Sequence, residues 1–360
     1  MSGFFQSMRR VLIAALAGVL LLATAPMQAE DLVYARLADY LEALRTQTGI
    51  PGLAAAIVGR SDVLWERGFG YQDVARALPM RPDTPSHFDG LTQTLTAAAV
   101  LRCADDNRLD LDTPIAAYRK DATEPGATLR QLLGHTSGSA PALSFAYRPE
   151  RTDVLAAPVK ACAGDSHRET IANLLEQLAM ANSVPGPDIL TITPPAEGIP
   201  TDEERPRYAD VLDRMATAYA VDSAKRVYQT PFAASTFTAS TGLISSVHDY
   251  AQFDLALRNG MVVSPDTLAA AWRPSGTDAA GRPLPYGLGW FVQSYNSDTV
   301  VWQFGAGENG SSSMVVTLPA RGISMVLVAN SNGLARSFQL DKGDVTTSPF
   351  ARIFLSLFTR

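Results

Sequence analysis

The sequence is poor in cysteine and histidine, and it lacks a long apolar run. Of its 360 residues, two are cysteine and four are histidine. It contains no His-Glu-x-x-His zinc motif and no Gly-x-Ser-x-Gly nucleophile elbow, so two common patterns of hydrolytic chemistry are missing. Its net charge of −6 argues against nucleic acid or anionic lipid as a partner. No metal and no cofactor is predicted.

The amino-terminal segment has the organisation of a secretory signal peptide. Met1–Arg10 ends in two arginines, Val11–Ala23 is an apolar run of thirteen residues, and Ala25–Ala29 supplies small residues before a cut after Ala29. A basic region, a short apolar region and a small-residue exit are typical of exported proteins. The run is short for a membrane span, and an uncleaved anchor is the alternative. We therefore predict a signal peptide over 1–29, a periplasmic or secreted protein, and no stable membrane span after cleavage.

The two cysteines, Cys103 and Cys162, both fall in segments that we assign to one helical subdomain. Export usually brings a protein into an oxidising compartment, where a disulfide is stable. A bridge between Cys103 and Cys162 is therefore allowed, and a pair of free buried thiols is the alternative.

The mature chain, 30–360, predicts an α/β domain whose sheet is assembled from both ends of the sequence. Residues 30–75 and 240–360 carry the patterns of strands and of terminal helices. Residues 76–239 predict an inserted helical subdomain, with a proline-rich surface loop over 184–206. The main predicted elements are strands over Leu53–Val58, Val63–Tyr71, Tyr286–Tyr295, Thr299–Phe304, Ser312–Leu318 and Ile323–Ala329, and helices over Leu32–Thr48, Thr92–Ala104, Ile171–Met180 and Pro349–Phe358.

Five motifs occur in an order and spacing that resemble those of the serine β-lactamase and penicillin-binding-protein family. The resemblance is to its branch of class C β-lactamases, esterases and D,D-peptidases. The resemblance covers nearly the whole mature chain. It implies an antiparallel sheet flanked by helices, with an active site between the sheet and the helical subdomain. The motifs are Leu109–Ile115, Leu129–Gly138, Ser240–Ala251, Tyr286–Trp290 and Gly310–Ser313.

The family's catalytic serine and lysine are absent from the matching positions. In the family, a Ser-x-x-Lys motif starts a helix; the serine attacks the substrate carbonyl, and the lysine one turn later accepts its proton. The matching stretch is Phe88–Ala97, where Gly90 stands at the serine position and Gln93 at the lysine position. Glycine has no nucleophile, and a neutral amide is not a base. No Ser-x-x-Lys occurs elsewhere in the chain.

The family's two other catalytic motifs are also altered. The second, Tyr-x-Asn, matches Tyr147 but has Pro149 at the asparagine position. The third, a Lys or His followed by Thr or Gly and then Gly, has Phe304 at the basic position and Ala306 at the glycine position. Losing one member of a coupled catalytic unit costs about 10⁴ to 10⁶ in rate. We therefore expect no hydrolysis by the family's mechanism.

These changes predict an exported, non-catalytic homologue, a pseudoenzyme that binds an unknown ligand or protein partner. The backbone amides of Gly90 and Gly307 need no side chain, so they are the expected surviving oxyanion-type donors. The cleft is either concave with a neutral lining or filled by side chains. A buried amide left unpaired costs about 1–3 kcal/mol, so we expect Gln93 to bond locally, with Tyr147 as the candidate partner.

The alternative is an active serine hydrolase, of β-lactamase, esterase or D,D-peptidase type, with a relocated nucleophile. Thr92, Ser137 and Ser312 are the nearest candidates for that nucleophile. His135 is a candidate general base by residue type, but its position within the motif Leu129–Gly138 favours a structural role.

Overall fold

The computed structural model describes residues 29–139, 142–232, 236–307 and 310–359. All of the predicted signal peptide except Ala29 lies outside these residues. Within them, no helix is both long enough and apolar enough to cross a membrane.

The centre of the structure is a sheet of seven antiparallel strands. In chain order the strands are β1 Gly52–Val58, β2 Val63–Asp73, β3 Leu78–Pro79, β4 Ser86–His87, β5 Thr136–Ser139, β6 Ala142–Phe145, β7 Tyr219–Val221, β8 Val227–Gln229, β9 Ile244–Ser245, β10 Phe291–Tyr295, β11 Asp298–Ala306, β12 Ser312–Leu318 and β13 Ile323–Ala329. The sheet has the order β10-β11-β12-β13-β1-β2-β3, so strands from the two ends of the chain meet where β13 pairs with β1. The other strands form the pairs β4 with β9, β5 with β6 and β7 with β8.

Helices lie on both faces of this sheet. In chain order they are α1 Ala29–Thr48, α2 Thr92–Asp105, α3 Leu129–Leu133, α4 Ala156–Ala163, α5 His167–Gln177, α6 Arg205–Asp213, α7 Val247–Arg258, α8 Pro265–Ala271 and α9 Pro349–Phe358. Helices α1 and α9 pack on one face, and α2 and α7 pack on the other. The structure confirms the expected α/β class, with an antiparallel sheet flanked by helices.

Strands β1, β12 and β13 are buried along their whole length because helices cover both faces. Successive side chains of a strand point to opposite faces. Leu53 and Ile57 of β1 therefore join the core with α1 and α9, whereas Ala54 and Val58 join the core with α2 and α7. Both faces are apolar, which explains the continuous apolar run of β1.

A disulfide joins α2 to α4. Cys103 and Cys162 are bridged, with their Cα atoms 6.2 Å apart and both side chains buried. The bridge attaches the helix that follows Gly90 to α4 within the helical subdomain.

Helix α5 begins earlier than the sequence pattern indicates. It starts at His167, not at Ile171, and it ends at Gln177. The hydroxyl of Ser166 accepts from the backbone N–H of Glu169, and the carboxylate of Glu169 accepts from the N–H of Ser166. This capping box fixes the start one turn before the apolar residues on which the prediction rests.

Strand β10 is shorter than predicted, because residues 286–290 form a turn. Gly289 has a φ of +103°, and a Cβ added there would lie 2.4 Å from the Cβ of Ala97 in α2. Only glycine permits this backbone conformation and this close approach. The strand therefore begins at Phe291.

The proline-rich segment 184–206 is anchored to the subdomain as well as exposed at its surface. It contains no helix or strand until α6 begins at Arg205. Val184 and Ile189 are buried, and the guanidinium of Arg168 donates to the carboxylate of Asp188 with an Nη1–Oδ1 distance of 2.8 Å. The prediction of a surface loop is therefore wrong for these buried residues.

Candidate functional site

The position of the family's serine lies where β11 packs against the turn that leads into α2. Gly90 belongs to a short 3₁₀ helix, Asp89–Leu91, directly before α2. A Cβ added at Gly90 would lie 2.6 Å from the backbone carbonyl oxygen of Phe304. Cβ atoms essentially never approach another heavy atom so closely, so the position has no room for a side chain. The serine is absent, and the space for it is absent too.

Gly305 of β11 allows this close approach. A Cβ added there would lie 2.4 Å from the carbonyl oxygen of Phe88 and 2.9 Å from the backbone nitrogen of Gly90. Gly90 and Gly305 therefore face each other with no side chain between the two backbones. The contact between the turn and β11 therefore leaves no space for a side chain at either position.

Polar contacts from β11 and β12 hold the turn that contains Gly90 in place. Ser313 Oγ donates to the carbonyl oxygen of Phe88 at 2.6 Å, and Ser311 Oγ donates to Asp89 Oδ2 at 2.7 Å. The backbone N–H of Gly307 donates to the carbonyl oxygen of Ser311 at 3.2 Å, and it also lies close enough to the Asp89 carboxylate to lower the pKa of that group. The expectation that Gly307 offers a free oxyanion-type donor is therefore wrong, because the carbonyl oxygen of Ser311 already accepts that hydrogen.

Gln93 lies in the middle of a buried hydrogen-bond chain. Its Nε2 donates to the hydroxyl of Tyr147 at 2.8 Å and to the carbonyl oxygen of Gly90 at 3.2 Å. Its Oε1 lies 3.1 Å from Nε2 of His135. The bond to Tyr147 confirms the predicted local partner, and it leaves no group of Gln93 directed at a ligand.

The chain of hydrogen bonds continues from Tyr147 into the sheet. The Tyr147 hydroxyl donates to Gln303 Oε1 at 3.3 Å, and Gln303 Nε2 donates to the hydroxyl of Tyr286 at 2.6 Å. Burial raises the pKa of Tyr147 and the pKa of Tyr286. Both hydroxyls therefore stay protonated at neutral pH and act as hydrogen-bonding groups, not as bases.

His135 is a neutral hydrogen-bonding group within this chain. Its Nδ1 accepts from the backbone N–H of Arg148 at 3.3 Å, so the proton belongs on Nε2, which donates to Gln93. Burial, reinforced by the charge of Arg151, lowers the pKa of His135 to about 3. Both ring nitrogens are occupied, which supports the structural role.

An aromatic cluster fills the place of the family's basic strand residue. Phe304 is buried, and its ring packs against Tyr147, Phe291 and Trp302 with centroid distances of 5.3, 5.9 and 6.1 Å. Such ring pairs add to the stabilisation from buried area. At this position the ancestral cleft is part of the core.

The last two vestigial positions place no polar side chain at the site. Pro149 begins the 3₁₀ helix Pro149–Leu155, and proline has neither a side-chain amide nor a backbone N–H. Ala306 is exposed at the end of β11. Neither residue replaces the lost asparagine or glycine function.

Sequence reasoning missed Asp89 and Gln303. Asp89 is 4% exposed and has a left-handed φ of +45°, and Gln303 is fully buried inside a strand. Each left a signal in the sequence: an acid directly before the altered serine position, and a glutamine within an apolar run. Both are explained by the hydrogen bonds that they make across the closed site.

The substitution Asp89→Asn is expected to change how stability depends on pH. Burial raises the pKa of Asp89 to about 6, although hydrogen bonds from Ser311 and Gly307 oppose that rise. The folded protein therefore holds this proton more tightly than the unfolded chain, where aspartate titrates at about 3.9. Asp89 consequently lowers stability as pH rises from about 4 to above 6, by about 3 kcal/mol in total.

Urea unfolding at pH 4 and at pH 7.5 measures this effect in the wild type and in the Asp89→Asn variant. Asparagine keeps the shape and tolerates a left-handed φ, and other titrating groups cancel in the comparison. The wild type should lose about 3 kcal/mol relative to the variant between the two pH values. An equal difference at both pH values would contradict a buried acid at this position.

Two of the three candidate relocated nucleophiles are buried and donate to backbone carbonyl oxygens. Thr92 and Ser312 are fully buried. Thr92 Oγ1 donates to the carbonyl oxygen of Asp89 at 2.7 Å, and Ser312 Oγ donates to that of Ser331 at 2.6 Å. Ser137 is exposed on β5. A backbone carbonyl cannot take a proton from a hydroxyl nucleophile, so neither buried hydroxyl is activated by these bonds.

The fold and the altered site together define a protein on the scaffold of the serine β-lactamases and penicillin-binding proteins. Residues 37–345 match the family model described as Beta-lactamase. The chain belongs to this family.

Curated relatives match only part of the chain. The mitochondrial serine β-lactamase-like protein LACTB of Homo sapiens is 28% identical over 107 residues, which are 28% of this chain and 20% of that protein. Esterase EstB of Burkholderia gladioli is 31% identical over 111 residues, which are 29% of this chain and 28% of that protein. The chain thus covers less than a third of the length of each relative.

Solved structures match the fold over most of the chain. The octameric penicillin-binding protein homologue from Pyrococcus abyssi has a TM-score of 0.71 at 19% identity, covering 90% of this chain and 77% of that one. A class C β-lactamase from Rhodobacter sphaeroides has a TM-score of 0.67 at 14% identity, covering 90% of this chain and 98% of that one. Identities this low show a shared fold alone.

Proposed function

We propose that this chain is an exported, non-catalytic member of the β-lactamase family with a binding or interaction role. One observation carries the proposal: a Cβ at Gly90 would lie 2.6 Å from the carbonyl oxygen of Phe304. The missing nucleophile is therefore accompanied by a closed site. The aromatic packing of Phe304 and the buried chain through Gln93 support the same reading, because they use the catalytic positions as core.

Export rests on the amino-terminal sequence, and the disulfide supports it. The basic, apolar and small-residue regions within residues 1–29 have the order of a signal peptide. The bridge between Cys103 and Cys162 is of the kind that persists in oxidising compartments. A periplasmic or secreted protein satisfies both observations.

The proposal predicts no covalent reaction with a β-lactam or a fluorophosphonate. The purified mature chain is incubated with a fluorescent penicillin and separately with a fluorophosphonate, and its intact mass is measured. An unchanged mass is expected with both reagents, because the ancestral position cannot form an acyl-enzyme. An active serine hydrolase treated in parallel controls for the reagents.

A stoichiometric adduct would overturn the proposal and favour a relocated nucleophile. Peptide mapping of the adduct then assigns it, and Ser137→Ala provides the first matched variant because Ser137 is the exposed candidate. Loss of the adduct in that variant would establish the alternative function.

A further inference from the structure

The strand pair of β4 and β9 contains a buried histidine that makes no hydrogen bond. His87 of β4 is fully buried and pairs with Ile244 of β9. Within the described part of the chain, neither Nδ1 nor Nε2 of His87 has a hydrogen-bond partner. The other three histidines each have one, namely Gln93 for His135, Thr96 for His167 and Glu66 for His248. Buried polar atoms are nearly always paired, so His87 is an exception that needs a physical explanation.

A short segment covers the ring of His87. Residues 230–232, which we call the latch, directly follow β8. The ring centroid of Phe232 lies 4.2 Å from that of the imidazole. Phe232 is partly exposed whereas His87 is fully buried, so the phenyl ring lies between the histidine and solvent. One backbone hydrogen bond attaches the latch to the chain before β7, from the N–H of Thr230 to the carbonyl oxygen of Ala218 at 3.0 Å.

The closed latch leaves three buried polar atoms without partners in the described part of the chain. They are the two ring nitrogens of His87 and the Oγ1 of Thr230. Each such atom has given up its bonds to water and gained none in return. Lifting the latch would let water reach all three atoms, at the expense of the contact between Phe232 and His87. The latch is therefore an element of low local stability.

Within the described residues, no charge compensates for the burial of His87. The latch and β9 carry no ionisable side chain. In α7, which follows β9, Asp249 accepts from the hydroxyl of Ser183. Asp89 accepts from Ser311, and only burial and hydrogen bonds shift its pKa. Burial alone lowers the pKa of His87 to about 4, so its ring is neutral in the closed protein at neutral pH.

We infer that the latch is an acid-sensitive conformational switch, which is closed over neutral His87 and opens when that histidine takes up a proton. The closed state excludes the charged imidazole, because a buried charge without a partner is strongly unfavourable. In the open state the ring is hydrated and titrates near the ordinary histidine value of about 6.5. The inference goes beyond the proposed function and does not depend on it.

The sign of the pH dependence follows from these two protonation equilibria. The open state of the latch binds a proton more tightly than the closed state does, because only the open state hydrates the His87 ring. Closure is therefore fully favoured above about pH 6.5. It is lost progressively as the pH falls towards 4, where the closed state begins to take up the proton as well. Over that interval each pH unit shifts the equilibrium towards the open latch by about tenfold.

Hydrogen–deuterium exchange of the mature chain tests the inference, with each rate divided by the intrinsic exchange rate at the same pH. Wild-type peptides spanning 227–232 should exchange roughly 30-fold faster at pH 5.0 than at pH 7.5. His87→Leu should reduce this change to less than about twofold, because leucine fills a similar volume and does not titrate. His248→Gln is the matched control: it removes an exposed histidine outside the latch and should keep the roughly 30-fold change.

Four outcomes would overturn the inference. In the wild type, these are an unprotected segment 227–232 at pH 7.5, equal corrected rates at both pH values, or the same acceleration in peptides from β12. The last result would indicate global unfolding in acid and not a local opening. The fourth outcome is an unchanged pH dependence in His87→Leu. The three wild-type comparisons need no variant, so they decide the matter even where His87→Leu does not fold.

Discussion

Gly90→Ser is expected to lower the free energy of unfolding by about 3 kcal/mol and to give no hydrolysis of a chromogenic ester. The new Cβ would lie 2.6 Å from the carbonyl oxygen of Phe304, which belongs to the β11 backbone paired with β12 and cannot rotate away. Relief requires moving β11 from the turn, and Gly305 and Ser313 hold it there. The restored hydroxyl would still lack a lysine as its base.

Urea unfolding measures this prediction together with two further variants. Gly90→Ala should lose nearly as much stability as Gly90→Ser, because the Cβ causes the clash. Gly126→Ser is the matched control: its added Cβ would have no atom within 4 Å, so its stability should change by about 0.5 kcal/mol or less. Wild-type stability in Gly90→Ser would show that the site opens readily, and ester turnover would contradict the proposed function.

Gln93→Lys is expected to destabilise the protein by about 3–5 kcal/mol at neutral pH. The ammonium group would be buried without a carboxylate partner. It could donate to the hydroxyl of Tyr147, but it has no acceptor for the N–H of His135, whose partner is Gln93 Oε1. The charge of Arg151 reaches this site, because it lowers the pKa of His135. An ammonium group at position 93 would therefore be repelled by the guanidinium of Arg151.

Gln93→Leu is the matched variant, because it removes the same hydrogen bonds and adds no charge. Its loss should be smaller, about 1–3 kcal/mol for the unpaired group. The lysine variant should regain stability relative to the leucine variant as pH rises, because burial lowers a lysine pKa and the folded state then gives up its proton first. Unfolding at pH 7 and pH 10 measures this, and parallel losses at both values would indicate a wetter site.

The sequence alone was sufficient for the fold class and for the chemical losses. Substitutions at positions 90 and 93 remove a nucleophile and a base whatever the surrounding structure is. The bond between Gln93 and Tyr147 could also be predicted, because a buried amide needs a partner. Both conclusions depend only on residue type, which the sequence gives directly.

The closure of the site could not be predicted, because it depends on the distance between two backbones. Gly90 and Gly305 are far apart in the chain, and nothing local indicates that their strands and turns touch. The burial of Asp89 follows from that contact and was equally hidden. The predicted boundaries of helices and strands were wrong where tertiary contacts determine them, as at the start of β10, where Gly289 lies against Ala97.

The position of β1 within the sheet has a consequence for how the protein is made. Its neighbour β13 is the last strand in the described part of the chain, and the hydrogen bond from Gly52 N to Asn330 Oδ1 joins residues 278 positions apart. Loops of that length close late, because the entropy of the intervening chain must be overcome first. Synthesis must therefore pass β13 before the sheet can be completed, and a chain that stops earlier has no second partner for β1. Such a polypeptide stays incompletely folded until β13 is available, which agrees with the proposed export if the chain crosses the membrane before it folds.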